Sequence, residues 1–275
     1  MNKLLLLIIL TVFSCQYNQK EKTNVEISEP IISKQKAIEK KSYHIHYDSI
    51  DNRQAKQIES WLNHGKKDIE EFFSKGFEKQ FDVYIFSERD SLDKQWQTDW
   101  NIPNFKSECW MVASGIAHRL DILSPRIWKT QACEHDNNDT IATKKLIIHE
   151  LVHVFHGQNN PSPTFEYIEN IDWFVEGLAV YASGQLNDGR LERAMSHILN
   201  TGEPTKLADI WKGEHKYGLA GSIVKYIDEK FGREILVELI TFPKVTQILD
   251  TLSISEKELI NEWETNWIME FTRGN

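Results

Sequence analysis

The chain reads as an α+β protein: a small N-terminal mixed sheet with helices, then a mainly helical subdomain, with a functional cleft between them. Two observations predict this. Short segments of alternating or β-rich character are confined to the first half, and from Thr140 onward apolar residues recur with helical spacing to the C-terminus. A third, the hydrophobic content of 40% with nine Trp over 275 residues, says that a substantial core can be buried.

The elements follow in order. SYHIHYDS alternates and predicts a strand, with His44 and His46 on one strand face as packing or surface residues. IESWLNHGKKDIEEFF predicts an amphipathic helix with Trp61, Ile69, Phe72 and Phe73 on its apolar side. FDVYIFS is a second strand, followed by a polar, Trp-bearing segment. CWMVAS and HRLDILSP are two β-rich runs separated by Gly115-Ile116-Ala117, which suggests a hairpin. Asp139 or Thr140 can cap a helix running to His156, with Gly157 as its stop. Further helices are expected over Asp172–Ser183, Arg190–Leu199, Lys216–Phe231, Arg233–Ile240 and Glu256–Phe271.

Ahead of these elements, residues 1–14 combine Lys3, an apolar run from Leu4 to Phe13 and the small Ser14, which is the pattern of an export signal. Val12-Phe13-Ser14-Cys15 resembles the lipobox of bacterial lipoproteins, which implies a lipidated Cys15, membrane attachment through it and a place in the bacterial cell envelope. Residues 15–41 then read as the lipidated Cys and a flexible spacer, rich in Lys, Glu, Gln and Ser, with the folded domain over residues 42–275. Removal of the signal leaves 31 basic against 41 acidic residues, a net charge of −10 that argues against a nucleic-acid partner. Cys109 and Cys133 would then lie outside the cytoplasm, where a disulfide can persist, although sequence leaves their pairing open.

The chemistry concentrates in HELVHVFHG, residues 149–157. His149 and His153 are four apart, so on a helix both imidazoles project from one face and can bind one metal ion. Glu150 lies beside them, placed to hold a metal-bound water without being a ligand. Leu146, Ile147, Ile148, Leu151, Val152, Val154 and Phe155 surround these groups, and three ionisable side chains in so apolar a helix need a joint partner.

Catalytic zinc commonly takes three protein ligands and leaves a fourth position for water. His156 cannot be the third, because ligands on successive turns of one straight helix spread over about 10 Å. It reads instead as a histidine near the helix C-terminus, engaged with its dipole or free carbonyls. The metzincin pattern fails as well, since positions 156 and 159 are His and Asn. The downstream helix DWFVEGLAVYASG supplies Glu176 in an apolar setting, with Gly177, Ala179 and Ala182 keeping it thin enough to lie against the HELVH helix.

HELVH followed after 22 residues by Glu176-Gly177-Leu178-Ala179-Val180-Tyr181 resembles the gluzincin metallopeptidases, in particular the peptidase MA-like group with its HExxH and E-G-x-A-x-Y pattern. The resemblance runs from about Cys109 to Phe231. It implies a zincin fold, Zn2+ held by His149, His153 and Glu176, Glu150 as general base, and a peptide or protein substrate lying along an edge strand made by CWMVAS or HRLDILS. KYGLAGSIVKYIDEKFG resembles the family's Tyr before a small-residue helix, which makes Tyr217 the candidate oxyanion stabiliser; Tyr226 and His215 are alternatives.

Two departures are visible. Val180 stands where thermolysin-like enzymes carry an Asp that orients a ligand histidine, with Asp172 as a weak substitute. GIAHR at Gly115–Arg119 replaces the G-x-M-E-N segment of the aminopeptidase branch, which favours an endopeptidase. Two rival readings share the same ligands: a catalytically silent surface lipoprotein of this fold used for binding, and a zinc hydrolase acting on a non-peptide amide or ester.

Overall fold

The computed structural model describes residues 35–273. The signal segment 1–14, Cys15 and the spacer up to residue 34 lie outside the described residues. The architecture is α+β, a five-stranded mixed sheet followed by a mostly helical half. Among the described residues, no helix is long and apolar enough to cross a membrane.

Strands β1 (Gln35–Glu39), β2 (Tyr43–Asp48), β3 (Phe81–Phe86), β4 (Ala113–Ile116) and β5 (Arg119–Leu123) form one sheet in the order β1-β2-β3-β5-β4. β2, β3 and β5 run parallel to one another, and β1 and β4 flank them as antiparallel edges. β1 corrects the spacer boundary, because the folded part begins by residue 35 rather than at Ser42. Its Lys- and Glu-rich composition reads as solvated text, yet an edge strand needs few apolar residues, and Ile38 supplies a contact with the core.

Alternation decides which side of the sheet is buried. Tyr43, Ile45 and Tyr47 on β2, with Phe81, Val83 and Ile85 on β3 and Leu120 and Ile122 on β5, face the main core. That core is shared with α1 (Asn52–Phe73), whose buried stripe is Ala55, Ile58, Leu62, Gly65, Ile69 and Phe73. Phe86 and Leu123 belong to a smaller core together with Leu92 and Trp96 of α2 (Arg89–Asp99) and Trp128 of the short α3 (Trp128–Gln131). α2 occupies the polar, Trp-bearing segment, where few apolar side chains mark a helical period; Trp96 secures it by donating Nε1–H to the buried Asp121 at 3.1 Å.

The hairpin forms between β4 and β5, but its turn is Ala117-His118, and Gly115 and Ile116 belong to the strand. β4 is the edge and β5 is interior, so of the two β-rich runs only the first presents a sheet edge.

The helical half comprises α4 (Thr140–Asn159), α5 (Asp172–Ala182), α6 (Arg190–Thr201), α7 (Leu207–Ile210), α8 (Lys216–Phe231), α9 (Arg233–Leu239), α10 (Val245–Leu252) and α11 (Glu256–Arg273). Asp139 caps α4 by accepting from the Ala142 N–H at 2.9 Å. Gly157 does not stop this helix. A Cβ there would lie 2.8 Å from the Ala117 nitrogen and the Pro163 oxygen, so the glycine serves close packing while the helix continues.

Gly177 likewise has a different partner from the one expected. A Cβ would stand 2.2 Å from the Ala220 carbonyl oxygen, so Gly177 serves the close approach of α5 to α8, while α5 also packs against α4. Tyr181 reinforces that pair by donating to Asp228 at 2.7 Å, and Asp228 also accepts from Arg233. Trp263 of α11 donates to Ser222 of α8 at 3.1 Å on the far side.

Cys109 and Cys133 form a disulfide that ties the chain before β4 to the chain before α4. Closing a loop of 24-residue separation stabilises by about 3 kcal/mol through the unfolded state. Urea unfolding of Cys109→Ser/Cys133→Ser should therefore show a loss of about that size; an unchanged midpoint would mean that the bridge contributes nothing to stability.

Candidate metal centre

The HELVH stretch occupies the buried middle of α4, and its i, i+4 spacing puts His149 and His153 on one face. Both are 6% exposed, and their rings meet edge to face with centroids 4.8 Å apart. Their Nε2 atoms are 3.1 Å apart. Glu176, one turn into α5, brings Oε2 to 3.4 Å from His149 Nε2 and 3.7 Å from His153 Nε2. Four-coordinate zinc with bonds of about 2.0–2.1 Å separates neighbouring ligand atoms by about 3.3 Å. The three donors thus stand near the spacing of one face of a zinc tetrahedron, and their N2O set is one that zinc accepts.

Electrostatics couple the same three groups. Burial works to raise the Glu176 carboxyl, but the charges and hydrogen bonds of His153 and His149 outweigh it and hold the group well below the usual carboxylate range. His153 is raised in return, Glu176 overcoming the downward pull of burial. A proton can hold such a cluster together, and a divalent cation can replace that proton and engage all three groups at once.

Glu150 follows His149 on α4, and its carboxyl feels the charges of His149, His153 and Glu176. It is 8% exposed, burial pushes its carboxyl upward, and it accepts a hydrogen bond from the Gly115 backbone N–H of β4. Strand β4 comes so close to α4 that a Cβ on Gly115 would lie 2.2 Å from the Glu150 carbonyl oxygen and 3.1 Å from the His153 Cβ. The edge strand and the site helix are therefore in direct backbone contact.

Tyr217, in the first turn of α8, has its ring centroid 6.5 Å from that of His149. Burial, then the charges of Glu176 and Glu150, hold its phenol above the ordinary value, so it remains a proton donor. The alternatives are not brought to the site: Tyr226 donates to Glu262 at 3.0 Å on α11, and His215 lies against His197. Lys216 Nζ lies 5.3 Å and Arg190 5.2 Å from the Tyr217 ring centroid, and Trp211 meets that ring edge on at 4.9 Å. Neither cation forms an ion pair with a carboxylate among the described residues, although Lys216 feels the charge of Glu176 and Arg190 that of Asp188. Sequence reading missed Arg190, Trp211 and Lys216; only the adjacency of Lys216 to Tyr217 offered a signal.

The histidine-orienting group is absent where it was sought. Val180 packs toward α8, its Cγ1 lying 2.8 Å from where a Cβ on Gly221 would stand, and an apolar side chain at this position offers the histidines no acceptor. Asp172 makes no hydrogen bond with either of them, and the buried Nδ1 atoms of His149 and His153 find no protein partner among the described residues. His156 is separate from the cluster. Fully buried between Phe165 and Phe174, its ring is drawn to the Ile240 backbone at the end of α9 rather than to the carbonyls of its own helix.

A scan against models of known families finds no match to this chain, and a search of curated proteins finds none either.

Two predictions arise from these contacts. Gly115→Ala should push β4 away from α4, lowering stability by about 1–3 kcal/mol; an unchanged melting curve would contradict the close approach. His156 is driven down to about 3, first by burial and then by the charge of His153, whereas an unfolded histidine titrates near pH 6.5. The unfolded chain therefore binds the extra proton, and stability present above about pH 6.5 is lost as the pH falls, by about 1.4 kcal/mol per unit. Comparing urea midpoints of wild type and His156→Leu at pH 7 and pH 5 isolates this slope. Equal acid sensitivity of the two proteins would assign it to other groups.

Proposed function

We propose that the chain is a zinc-dependent metallopeptidase of the gluzincin type, an endopeptidase anchored to a bacterial cell envelope through Cys15. The observation that carries this reading is the convergence of His149 Nε2, His153 Nε2 and Glu176 Oε2 within 3.1–3.7 Å, with the buried Glu150 adjoining on the same helix. The HELVH and EGLAVY segments resemble the peptidase MA-like pattern at these same positions.

His149, His153 and Glu176 would hold the ion. Zinc bound there supplies a Lewis acid and lowers the pKa of water to near neutrality. Glu150, whose carboxyl burial pushes upward, takes the proton of the attacking water and delivers it to the leaving amine. Tyr217 keeps its proton and donates to the oxygen that becomes negative as the carbonyl is attacked. β4 offers main-chain groups at the sheet edge against which an extended peptide can pair, immediately beside Glu150.

The envelope location rests on the lipobox-like sequence at Val12–Cys15 and is supported by the Cys109–Cys133 disulfide, a bond that persists in oxidising compartments.

Glu150→Gln should keep zinc bound and lower peptide hydrolysis by roughly 10²–10⁴-fold, the usual contribution of a general base. Glu176→Ala should lose the zinc of this site and the activity together. Elemental analysis beside a mixed-peptide cleavage assay reads both. A Glu150→Gln protein that cleaves like wild type removes the base from the mechanism, and zinc binding without any cleavage by wild type favours the binding lipoprotein.

A further inference from the structure

The outer face of the sheet carries a second cluster of ligand-type side chains, remote in sequence from the HELVH helix. Because Tyr43, Ile45 and Tyr47 face the core, His44 and His46 project from the opposite face of β2. The parallel register sets His44 beside Asp82 of β3, and the antiparallel register sets it beside Glu39 of β1. Three neighbouring strands thus converge on one place.

The atoms are directed as a coordination site requires. His46 Nε2 lies 2.8 Å from Asp82 Oδ1, and His44 Nδ1 lies 3.5 Å from the same oxygen. One donor atom from each of His44, His46 and Asp82 falls within 4.8 Å of the others. The remaining ring nitrogen of His44, Nε2, is 3.0 Å from Glu39 Oε2. A metal-ligating histidine characteristically gives its second ring N–H to a carboxylate, which fixes its tautomer and strengthens it as a ligand. His46 is held in plane by stacking on Tyr84, with centroids 4.6 Å apart and planes 14° from parallel. Side-chain exposures of 31% for His44, 19% for His46 and 41% for Asp82 leave the cluster open to an ion and to water ligands.

We propose that His44 Nδ1, His46 Nε2 and an Asp82 carboxylate oxygen form a second site for a divalent transition metal, with Glu39 fixing the His44 ring from outside the coordination sphere. Two imidazoles and one carboxylate suit zinc or its late first-row neighbours better than calcium or magnesium, which favour oxygen ligands throughout. The occupied site would tie three strands together. β1 gains most, since it is an edge strand paired only with β2 and contributes Glu39. The site would be structural, and it stands independently of the peptidase reading.

The test is a zinc titration of the metal-free full chain by calorimetry, with elemental analysis after gel filtration. Wild type should bind two equivalents, Glu176→Ala should retain the sheet site, and His44→Gln/His46→Gln should retain only the α4 site and unchanged peptide cleavage. Thermal melting of each variant without metal separates lost ligands from lost fold. Asp82→Asn is a second, smaller change that should weaken the same equivalent at least tenfold. In Glu176→Ala, ring ¹⁵N spectra should show zinc on His44 Nδ1 with Nε2 protonated. Zinc binding undiminished in folded His44→Gln/His46→Gln, or no zinc bound by folded Glu176→Ala, would overturn the proposal.

Discussion

A carboxylate from α5 and two imidazoles from α4 meet in the protein interior with their polar atoms 3.1–3.7 Å apart, and the surrounding packing has to hold them there. Such a cluster is costly without a shared positive charge, because both imidazoles have left water and their Nδ1 atoms find no protein partner among the described residues. The buried apolar side chains of α4 and α5 hold that geometry together with two close backbone approaches. Gly177 lets α5 sit on the Ala220 carbonyl of α8, which fixes the height of Glu176, and Gly115 lets β4 sit on the Glu150 carbonyl. Each glycine is required because a methyl group would enter a space already taken by a backbone oxygen.

The same contacts bring the two halves of the fold into one site. β4 is the last strand of the sheet and α4 the first long helix of the helical half, and the Gly115 N–H reaching Glu150 joins them. The disulfide fastens the segments that lead into these two elements. α8 closes the other side, its first turn carrying Tyr217 and Lys216 against Trp211.

Much of the site was legible because its grammar is local. The spacing of His149 and His153 along a helix determines a shared face, and an isolated glutamate in DWFVEGLAVYASG stands out in apolar text. Long-range relations were not legible. Nothing local says that Gly177 faces α8 instead of α4, that Gly157 lies inside a helix, or that Asp82 lies between His44 and His46, since each depends on elements far apart in sequence. α2 and β1 escaped because their polar composition hides the few residues, Leu92, Trp96 and Ile38, that anchor them. Val180 was readable as a departure, but that its side chain serves the α5–α8 contact required the packed structure.

The central claim is that one metal ion unites His149, His153 and Glu176. Anomalous diffraction at the zinc edge, on crystals of the protein saturated with zinc at two or more equivalents, tests it most directly. The account predicts a peak bonded to Nε2 of both histidines and to the Glu176 carboxylate at about 2.0–2.2 Å. No anomalous density among these three side chains, with the zinc bound elsewhere on the protein, would contradict it.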